Sequence, residues 1–361
     1  MPRRTAIGLD IGTSVVRAAE LSFGRSGVTL ERFGQLVLPP DAVNDGQVVD
    51  GDAVAKALRK LWSATKLSHR RVVLGVANQR VIVRQLELPW LARGELAASL
   101  PFQVQDLLPM PVDQAVLDFF PIEELTDGSG HRTLKGLLVA AARETVLANV
   151  RAAELAGLTV EAVDLTPFAV LRSLGRQTGS AVETEALIDI GARVTNIVVH
   201  SGGVPRFVRI LLAGGQDVTD AVSEHLRVPP AQAELLKQEA GRAPEGGLLA
   251  GVDATGAADF DEVLRTVSST AQDFVTEVRG SLDYYAASNP MAPVERLVVT
   301  GGGSRLEGLL DRLSAATRLP VVAGDPMGSV RIGRTGLDDA QLHFVTPLAA
   351  VPVGLALGAI R

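Results

Sequence analysis

The sequence predicts an α/β protein of two duplicated lobes that clamp a ligand between them. Three stretches carry that prediction: a hairpin at Ala6–Leu21, a second at Leu187–Val199, and a glycine turn at Leu297–Gly303. The first opens as a short apolar run, reaches Asp10, turns through Gly12, Thr13 and Ser14, and resumes at Val15. Two strand-like runs about a glycine and hydroxyl residues are a β-hairpin signal. The second reproduces it: Leu187-Ile188-Asp189-Ile190-Gly191 enters the turn, and Thr195 and Asn196 stand where Val16 and Arg17 stand in the first copy. A single Asp-Ile-Gly is a common strand-to-turn tripeptide and says little. Two in matching contexts, half a chain apart, point to a duplication.

The residues at these turns suit an anion and a metal. Glycine lets the backbone approach a bound anion closely, and the amides and hydroxyls of such a turn can donate to phosphate oxygens. Asp10, a carboxylate at the end of a buried strand, suits a divalent ion held through water. Side chains alternate along the returning strand, so Arg17 shares a face with Val15 and Ala19. A cation on an apolar face needs a partner, and a phosphate is one candidate. The third turn follows a buried strand, Leu297–Thr300, and precedes an expected helix whose core face is Leu306, Leu309, Leu310 and Leu313. The consecutive glycines Gly301, Gly302 and Gly303 let a flat ring lie against bare backbone.

Composition bounds what else the chain does. Its 361 residues exceed one ordinary core and suggest about two domains. Hydrophobic content of 47% supplies core, and charged content of 21% argues against disorder. A formal charge of −6 without a basic, aromatic-interleaved cluster gives no reason to expect nucleic acid as a partner. The sequence has no cysteine, which removes disulfides, thiolate metal sites and thiol nucleophiles together. Met1-Pro2-Arg3-Arg4 leads into a strand and not into a signal-peptide core. The apolar C-terminal stretch Phe344–Ile360 is interrupted by Pro347 and Pro352 and reads as a buried helix. These features predict a cytoplasmic protein whose membrane contact runs through a partner.

In chain order, Val28–Phe33 is a strand, and Ala53–Thr65 a helix with Val54, Leu58, Leu61 and Trp62 at helical spacing and Asp52 as its N-cap. Val72–Val76 and Val81–Val83 are strands about Asn78-Gln79. From Leu88 to Lys135 the texture changes: a helix over Glu95–Leu108 is interrupted by Pro101, which should kink or split it, and Val116–Ile122 is a strand. This stretch reads as an inserted subdomain. Leu137–Ala142 is a strand, Thr145–Ala156 a helix stopped by Gly157, and Val160–Val163 a strand before the helix opened by Pro167. Beyond the second hairpin, Gly214 and Gly215 lead into a helix, Pro229-Pro230 opens another over Ala231–Ala240 closed by Gly241, and Gly241–Gly256 reads as a loop. Leu264, Val267, Ala271, Phe274, Val278, Leu282 and Tyr285 then mark one long amphipathic helix. The expected divisions are 1–87 for the first lobe, 88–135 for the insertion and 136–186 for the first lobe continued. The second lobe follows over 187–330, and 331–361 returns to the first. Signals of other chemistries are missing from the sequence: neither a G-x-x-x-x-G-K-[ST] loop nor a G-x-G-x-x-G fingerprint occurs, and its five histidines are scattered without ligand spacing.

Two such hairpins and a strand–glycine–helix turn, in this order, resemble the actin-like ATPase superfamily over nearly the whole chain. Within it, the sequence is most similar to the PilM family of type IV pilus assembly proteins, which shares an inserted subdomain with the FtsA division proteins. The residues carrying the likeness are Gly8–Leu21, Leu107–Pro111, Ala156–Leu158, Leu187–Val199, Gly214-Gly215 with Thr219, and Arg279–Tyr285. Arg17 stands where that family usually has lysine, which keeps the charge and changes a point contact to a fork. The resemblance implies an actin-like fold that binds ATP with Mg²⁺. It implies that Asp10, Gly12, Thr13, Ser14 and Arg17 face the phosphates, and that Asp189, Gly191, Thr195 and Asn196 close from the other side. Asp10 and Asp189 would hold Mg²⁺ through water. Gly214, Gly215, Gly301, Gly302 and Gly303 would bound the sugar and base, with Glu234 and Lys237 on the helix that reaches the ribose and adenine. Its implied partners are the cytoplasmic N-terminal peptide of a PilN-like membrane protein, other proteins of the pilus platform, and further copies of the chain.

Three functions compete on this reading. A nucleotide-dependent assembly module uses ATP to set the affinity of a docking surface. A small-molecule kinase of the same superfamily needs a positioned base for its substrate, and the sequence offers no candidate. An FtsA-like cytoskeletal protein would carry a basic amphipathic tail, where this chain is apolar. The first reading is the one expected.

Overall fold

The computed structural model describes residues 4–25, 27–175, 184–240 and 254–359. Strand β1 (Arg4–Ile11) pairs antiparallel with β2 (Val15–Gly24), with Asp10 opposite Arg17 and Ile11 opposite Val16. Strand β3 (Gly27–Val37) adds beyond β2. A small hairpin follows, β4 (Val43–Asn44) and β5 (Gln47–Val48), turning through Asp45 and Gly46 at φ 47 and 79. Helix α1 (Gly51–Thr65) is capped by Asp50 and not by Asp52: the Asp50 carboxylate accepts from the Ala53 amide at 2.9 Å. Asp50 holds the extended backbone that a cap requires, while Asp52 already lies in the first turn. Val54, Leu58, Leu61 and Trp62 are buried as the spacing predicts. Strand β6 (Arg71–Val76) lies parallel beside β1.

Next come β7 (Val81–Pro89), α2 (Arg93–Val104), β8 (Ala115–Thr126) and β9 (Arg132–Ala142). The three strands form a separate antiparallel sheet in the order β7-β9-β8. This sheet reaches past the 88–135 window on both sides, since Val81–Val83 and Leu137–Ala142 belong to it. Apolar alternation marks a strand without saying which sheet it joins. Pro101 sits inside α2 without splitting it. The carbonyl it deprives of a donor is that of Ala97, an exposed residue that water can serve. The helix ends at Val104, short of the expected Leu108. Leu96, Leu100 and Val104 pack with Leu88, Phe119, Leu134 and Leu138 as a core of their own.

Helix α3 (Arg143–Leu155), strand β10 (Thr159–Leu165) and helix α4 (Thr166–Leu174) complete this half, with β10 parallel beside β6. The second half opens with β11 (Thr184–Ile190) and β12 (Thr195–Ser201), Asp189 opposite Asn196 and Ile190 opposite Thr195. This is the register of the first hairpin. Strand β13 (Val204–Leu211), helices α5 (Gly215–Leu226), α6 (Pro230–Ala240) and α7 (Ala254–Ser288), strand β14 (Arg296–Thr300), helix α8 (Leu309–Thr317) and strand β15 (Val321–Ala323) follow. The second sheet runs β13-β12-β11-β14-β15, and the first runs β3-β2-β1-β6-β10 in reverse listing. Both place an antiparallel meander on one side of the aspartate strand and two parallel strands on the other. The duplication is topological as well as local.

The first thirteen residues of the expected 241–256 loop, Gly241 among them, lie outside the described residues, and 254–256 belong to α7. In α7, Val263 is buried and Leu264 is exposed. The start of this helix packs on α5 and α6 while the rest packs on the sheet, which shifts its buried face by one residue. The glycine turn continues as a 3-10 turn over Gly302–Arg305, and α8 begins only at Leu309, after Gly308 at φ 68.

The chain then returns to the first half. Strand β16 (Arg331–Ile332) pairs beside β3, and α9 (Asp339–Val345) leads to α10 (Ala350–Gly358). Among the described residues no single helix is long and apolar enough to cross a membrane. The stretch from Asp339 to Gly358 passes that test only as a pair bent by 74°. Every residue of α10 from Ala350 to Leu357 is buried. Met1–Arg3, Ile360 and Arg361 lie outside the described residues.

Helices α4 and α10 join the halves. Val170, Leu171 and Leu174 of α4 and Leu355 of α10 share one apolar cluster with Val73 of the first sheet and Leu187 and Val298 of the second. The helices cross so closely that a Cβ on Gly354 would sit inside the Ala169 carbonyl, and the Gly354 carbonyl accepts from Arg172 Nε at 2.8 Å. We expect Gly354→Ala to destabilise the protein by about 1–3 kcal/mol or more, read from chemical denaturation. A variant as stable as the parent would show that the crossing yields without cost.

Candidate functional site

The two hairpin turns meet. Asp10, Gly12, Thr13, Ser14 and Arg17 from one half line a single cleft with Asp189, Gly191, Asn196, Gly301 and Gly302 from the other. Both turns close alike: the Gly12 amide donates to the Val15 carbonyl at 3.1 Å and the Gly191 amide to Val194 at 3.0 Å. A Cβ at either glycine would press on that same carbonyl. The partner of Arg17 in this structure is Asp10, at 3.5 Å. Asn196 Nδ2 donates to Asp189 Oδ2 at 3.3 Å, so register partners across each hairpin also touch through their side chains. Arg17 Nε and Asn196 Oδ1 are buried with no hydrogen-bond partner among the described residues. One unsatisfied donor and one unsatisfied acceptor therefore border the paired aspartates.

Burial first and the negative charge of Asp10 second raise Asp189 to a pKa of about 6, against the lowering by the Asn196 amide and Arg17. Asp10 is raised as well, by burial first, with Arg17 opposing. Two carboxylates that burial pushes up in one cleft are short of positive charge. Mg²⁺ keeps most of its water and takes only one or two protein carboxylates, so the pair fits it without a denser cluster. Among the described residues no group of three or more acids and histidines is placed to hold a metal alone.

Not every expected residue lies in the cleft. The Thr195 hydroxyl points away and donates to the Ala213 carbonyl at 2.7 Å, which ties β12 to the chain leaving β13. Gly214, Gly215 and Gly303 line a neighbouring cavity of about 290 Å³ walled by Phe274, Leu306 and Leu309. The cleft and cavity share Ile190. A Cβ on Gly215 would find Gly191 O and Gly303 Cα at 3.8 Å and Lys237 Nζ at 3.9 Å, so this glycine is not forced by packing. Gly302 is similar, its nearest neighbour being Leu348 Cδ2 at 3.6 Å. Gly301, at φ 88, and Gly214 are required by the fold, since a Cβ at either would strike backbone. Glu234 and Lys237 line neither space. Lys237 donates to the Gly215 carbonyl at 2.9 Å and to Thr219 Oγ1 at 2.8 Å, with Glu234 at 2.5 Å, so the pair braces the start of α5 beside the cavity. The cleft also draws in Gly46, Ala77, Asn149, Thr166, Leu348 and Val351, which sequence reasoning missed. They are scattered along the chain, from the Gly46 turn to the start of α10, and no spacing pattern links them.

A model of the family described as type IV pilus assembly protein PilM matches residues 8–360. The chain belongs to the PilM family. Among solved structures it is similar to the PilM of a PilM–PilN type IV pilus biogenesis complex, with 26% identity, a TM-score of 0.85 and full coverage of both chains. MreB5 of Spiroplasma citri bound to ADP is similar in fold, with a TM-score of 0.51 at 14% identity over 99% of this chain and 96% of that one. The cell division protein FtsA of Neisseria meningitidis serogroup B is 27% identical over 98% of this chain and 89% of that protein. The fold of this PilM-family chain is therefore the actin-like one, with the insertion seated in the first lobe.

The raised Asp189 has a consequence for stability. Its folded pKa exceeds the ordinary carboxylate value, so between about pH 4 and 6 the folded state holds the extra proton and stability falls as pH rises. We expect Asp189→Asn, which cannot ionise, to stabilise the ligand-free protein at pH 7.5 by up to about 3 kcal/mol. Below about pH 4 the gain should vanish. Calorimetric melts of both proteins across pH 3.5–8 test this, and a variant less stable at pH 7.5 would contradict it.

Proposed function

We propose that this chain is a cytoplasmic ATP-binding assembly protein of the type IV pilus inner-membrane platform, in which MgATP sets the affinity for a membrane partner. The facing pair of buried carboxylates, Asp10 and Asp189, carries the reading, because it is costly in the folded protein unless a cation joins it. Asp10 and Asp189 would hold Mg²⁺ through water, and the ion would supply positive charge against the phosphates. The turn amides and hydroxyls of Thr13 and Ser14 would donate to phosphate oxygens. Arg17 has its Nε free to turn from Asp10 to a phosphate in a forked contact. The cavity beyond Gly215 is apolar enough for a base, with Lys237 at its edge for the ribose.

Turnover is expected to be slow. Besides the two aspartates, the side chains lining the cleft include the neutral Asn149 and Thr166, neither of which takes a proton near pH 7. The nucleotide then acts chiefly as a structural ligand that stabilises the closed protein by mass action.

The similarity to a PilM–PilN complex supports the N-terminal cytoplasmic segment of a PilN-like membrane protein as the partner. The insertion is its expected dock, since it exposes Phe102, Leu107 and Val116 beside its own small core. The insertion also bears on the second lobe: Val81 and Leu137 share a cluster with Val208 and Val298, and Phe120 lies 5.5 Å from Phe168 of α4. Lobe movement thus has a packed route to the docking surface. The FtsA relatives leave a division-protein reading as the alternative, and the match of the pilus family across the chain favours the first.

Isothermal titration with preformed MgATP tests the cleft. Wild type should bind, Asp10→Ala should lose at least tenfold in affinity, and Gly302→Val should lose binding with an unchanged melt. Equal affinities in all three would overturn the nucleotide reading. The partner is tested separately by capture on an immobilised PilN N-terminal peptide: Phe102→Asp with Val116→Asp should abolish it while MgATP still binds. Undiminished capture would move the dock elsewhere.

A further inference from the structure

One wall of the cleft is neutral, polar and partly unsatisfied. Asn149 and Thr166 line it with Gly46 and Ala77. Four residues before Asn149, and so on the same face of α3, Thr145 is buried with no hydrogen-bond partner for its hydroxyl among the described residues. Asn78 follows Ala77 directly. Its Oδ1 accepts from the Arg80 amide at 2.8 Å, but its Nδ2 is buried and unpartnered. Two orphaned buried donors behind one wall call for a partner that water or a ligand can supply. The helices beginning there, α3 and α4, both lack a side-chain N-cap, so their first-turn amides are also available. Donors and helix N-termini together favour an anion and its hydration water.

The β4–β5 hairpin closes over the same place. A Cβ on Gly46 would lie inside the Ala77 carbonyl and 3.2 Å from the Asn78 Cβ, so the tip rests on this wall. The Val48 amide donates to Asn149 Oδ1 at 3.4 Å, and the Leu38 amide to the Ser14 carbonyl at 2.8 Å, so the segment bears on both α3 and the first turn.

We propose that Asn78 Nδ2 and Thr145 Oγ1 hold the water that hydrates the terminal phosphate of a bound nucleoside triphosphate, and that this wall, closed by the Gly46 hairpin, tells triphosphate from diphosphate. The inference rests on the nucleotide reading above and adds to it a subsite and a selectivity. Neutral amide and hydroxyl groups orient a water without deprotonating it, so the subsite recognises the phosphate and does not cleave it. Asn149 acts as a positioning residue, through the hairpin.

The test is titration of MgATP and MgADP into wild type, Thr145→Val and Asn78→Asp, with a melt of each ligand-free protein. Thr145→Val keeps the shape and removes only an orphaned hydroxyl, so its melt should equal or exceed that of wild type. Its affinity for MgATP should fall about tenfold while that for MgADP stays within about twofold. Asn78→Asp keeps the acceptor for Arg80, loses the donor and sets a negative charge behind the phosphate, so it should shift the ATP-to-ADP preference the same way. Equal losses for both nucleotides, or no loss for either, would overturn the subsite while leaving the nucleotide reading intact. A wild type that binds neither nucleotide would overturn both. If Thr145→Val fails to fold, its hydroxyl is structural and the proposal fails for that residue, and Asn78→Asp decides the other.

Discussion

Two carboxylates held face to face in a buried cleft set the conditions for the rest of the molecule. Asp10 and Asp189 sit at the ends of equivalent strands in equivalent sheets, each paired across its hairpin with a single polar neighbour. Arg17 compensates one of them in part, and an amide compensates the other only weakly. The pair is held in place because both sheets have the same strand order, and each delivers its aspartate to the same corner. A fold that places two acids this way keeps a standing electrostatic deficit, which a hydrated divalent cation would relieve.

That deficit acts on a structure able to respond to it. The halves meet at the crossing of α4 and α10, where Gly354 has no room for a side chain. The return segment adds a second tie: the Pro347 carbonyl accepts from the Gly301 amide at 2.8 Å and from Thr300 Oγ1 at 2.9 Å. The glycine turn of the second half is therefore bonded to the segment that leads into α10. The insertion, for its part, packs on both halves through Val81, Leu137 and Phe120. Charge in the cleft, the joint behind it and the insertion beside it form one contiguous packed path.

Much of this was legible in the chain because it rests on local pattern. Strand-end aspartates followed by a glycine turn fix both hairpins, and period-two alternation places Arg17 and Asn196 opposite them. What sequence could not give was the partner of each side chain. Thr195 alternates onto the expected face, yet its hydroxyl finds the Ala213 carbonyl, because β13 turns back over it. Val81–Val83 and Leu137–Ala142 read correctly as strands, but not as strands of the inserted sheet, since pairing across about fifty residues leaves no periodic trace. Pro101 was read as a breaker, and the exposure of Ala97 that lets α2 continue is a tertiary fact. The polar wall of Asn149 and Thr166, with Asn78 and Thr145 behind it, comes from α3, the start of α4 and the end of β6, and could not be assembled before the fold was known.

Near pH 6 Asp189 is protonated in part in the free protein, and MgATP binding should ionise it. The direct measurement is calorimetric titration of preformed MgATP near pH 6 in two buffers of different ionisation enthalpy, with wild type and Asp189→Asn side by side. With Asp189 at a pKa of about 6 in the free protein, wild type should release about half a proton more than the variant on binding. Equal proton release from the two proteins, or net uptake by wild type, would mean that Asp189 does not face the metal and that the cleft is built for something else.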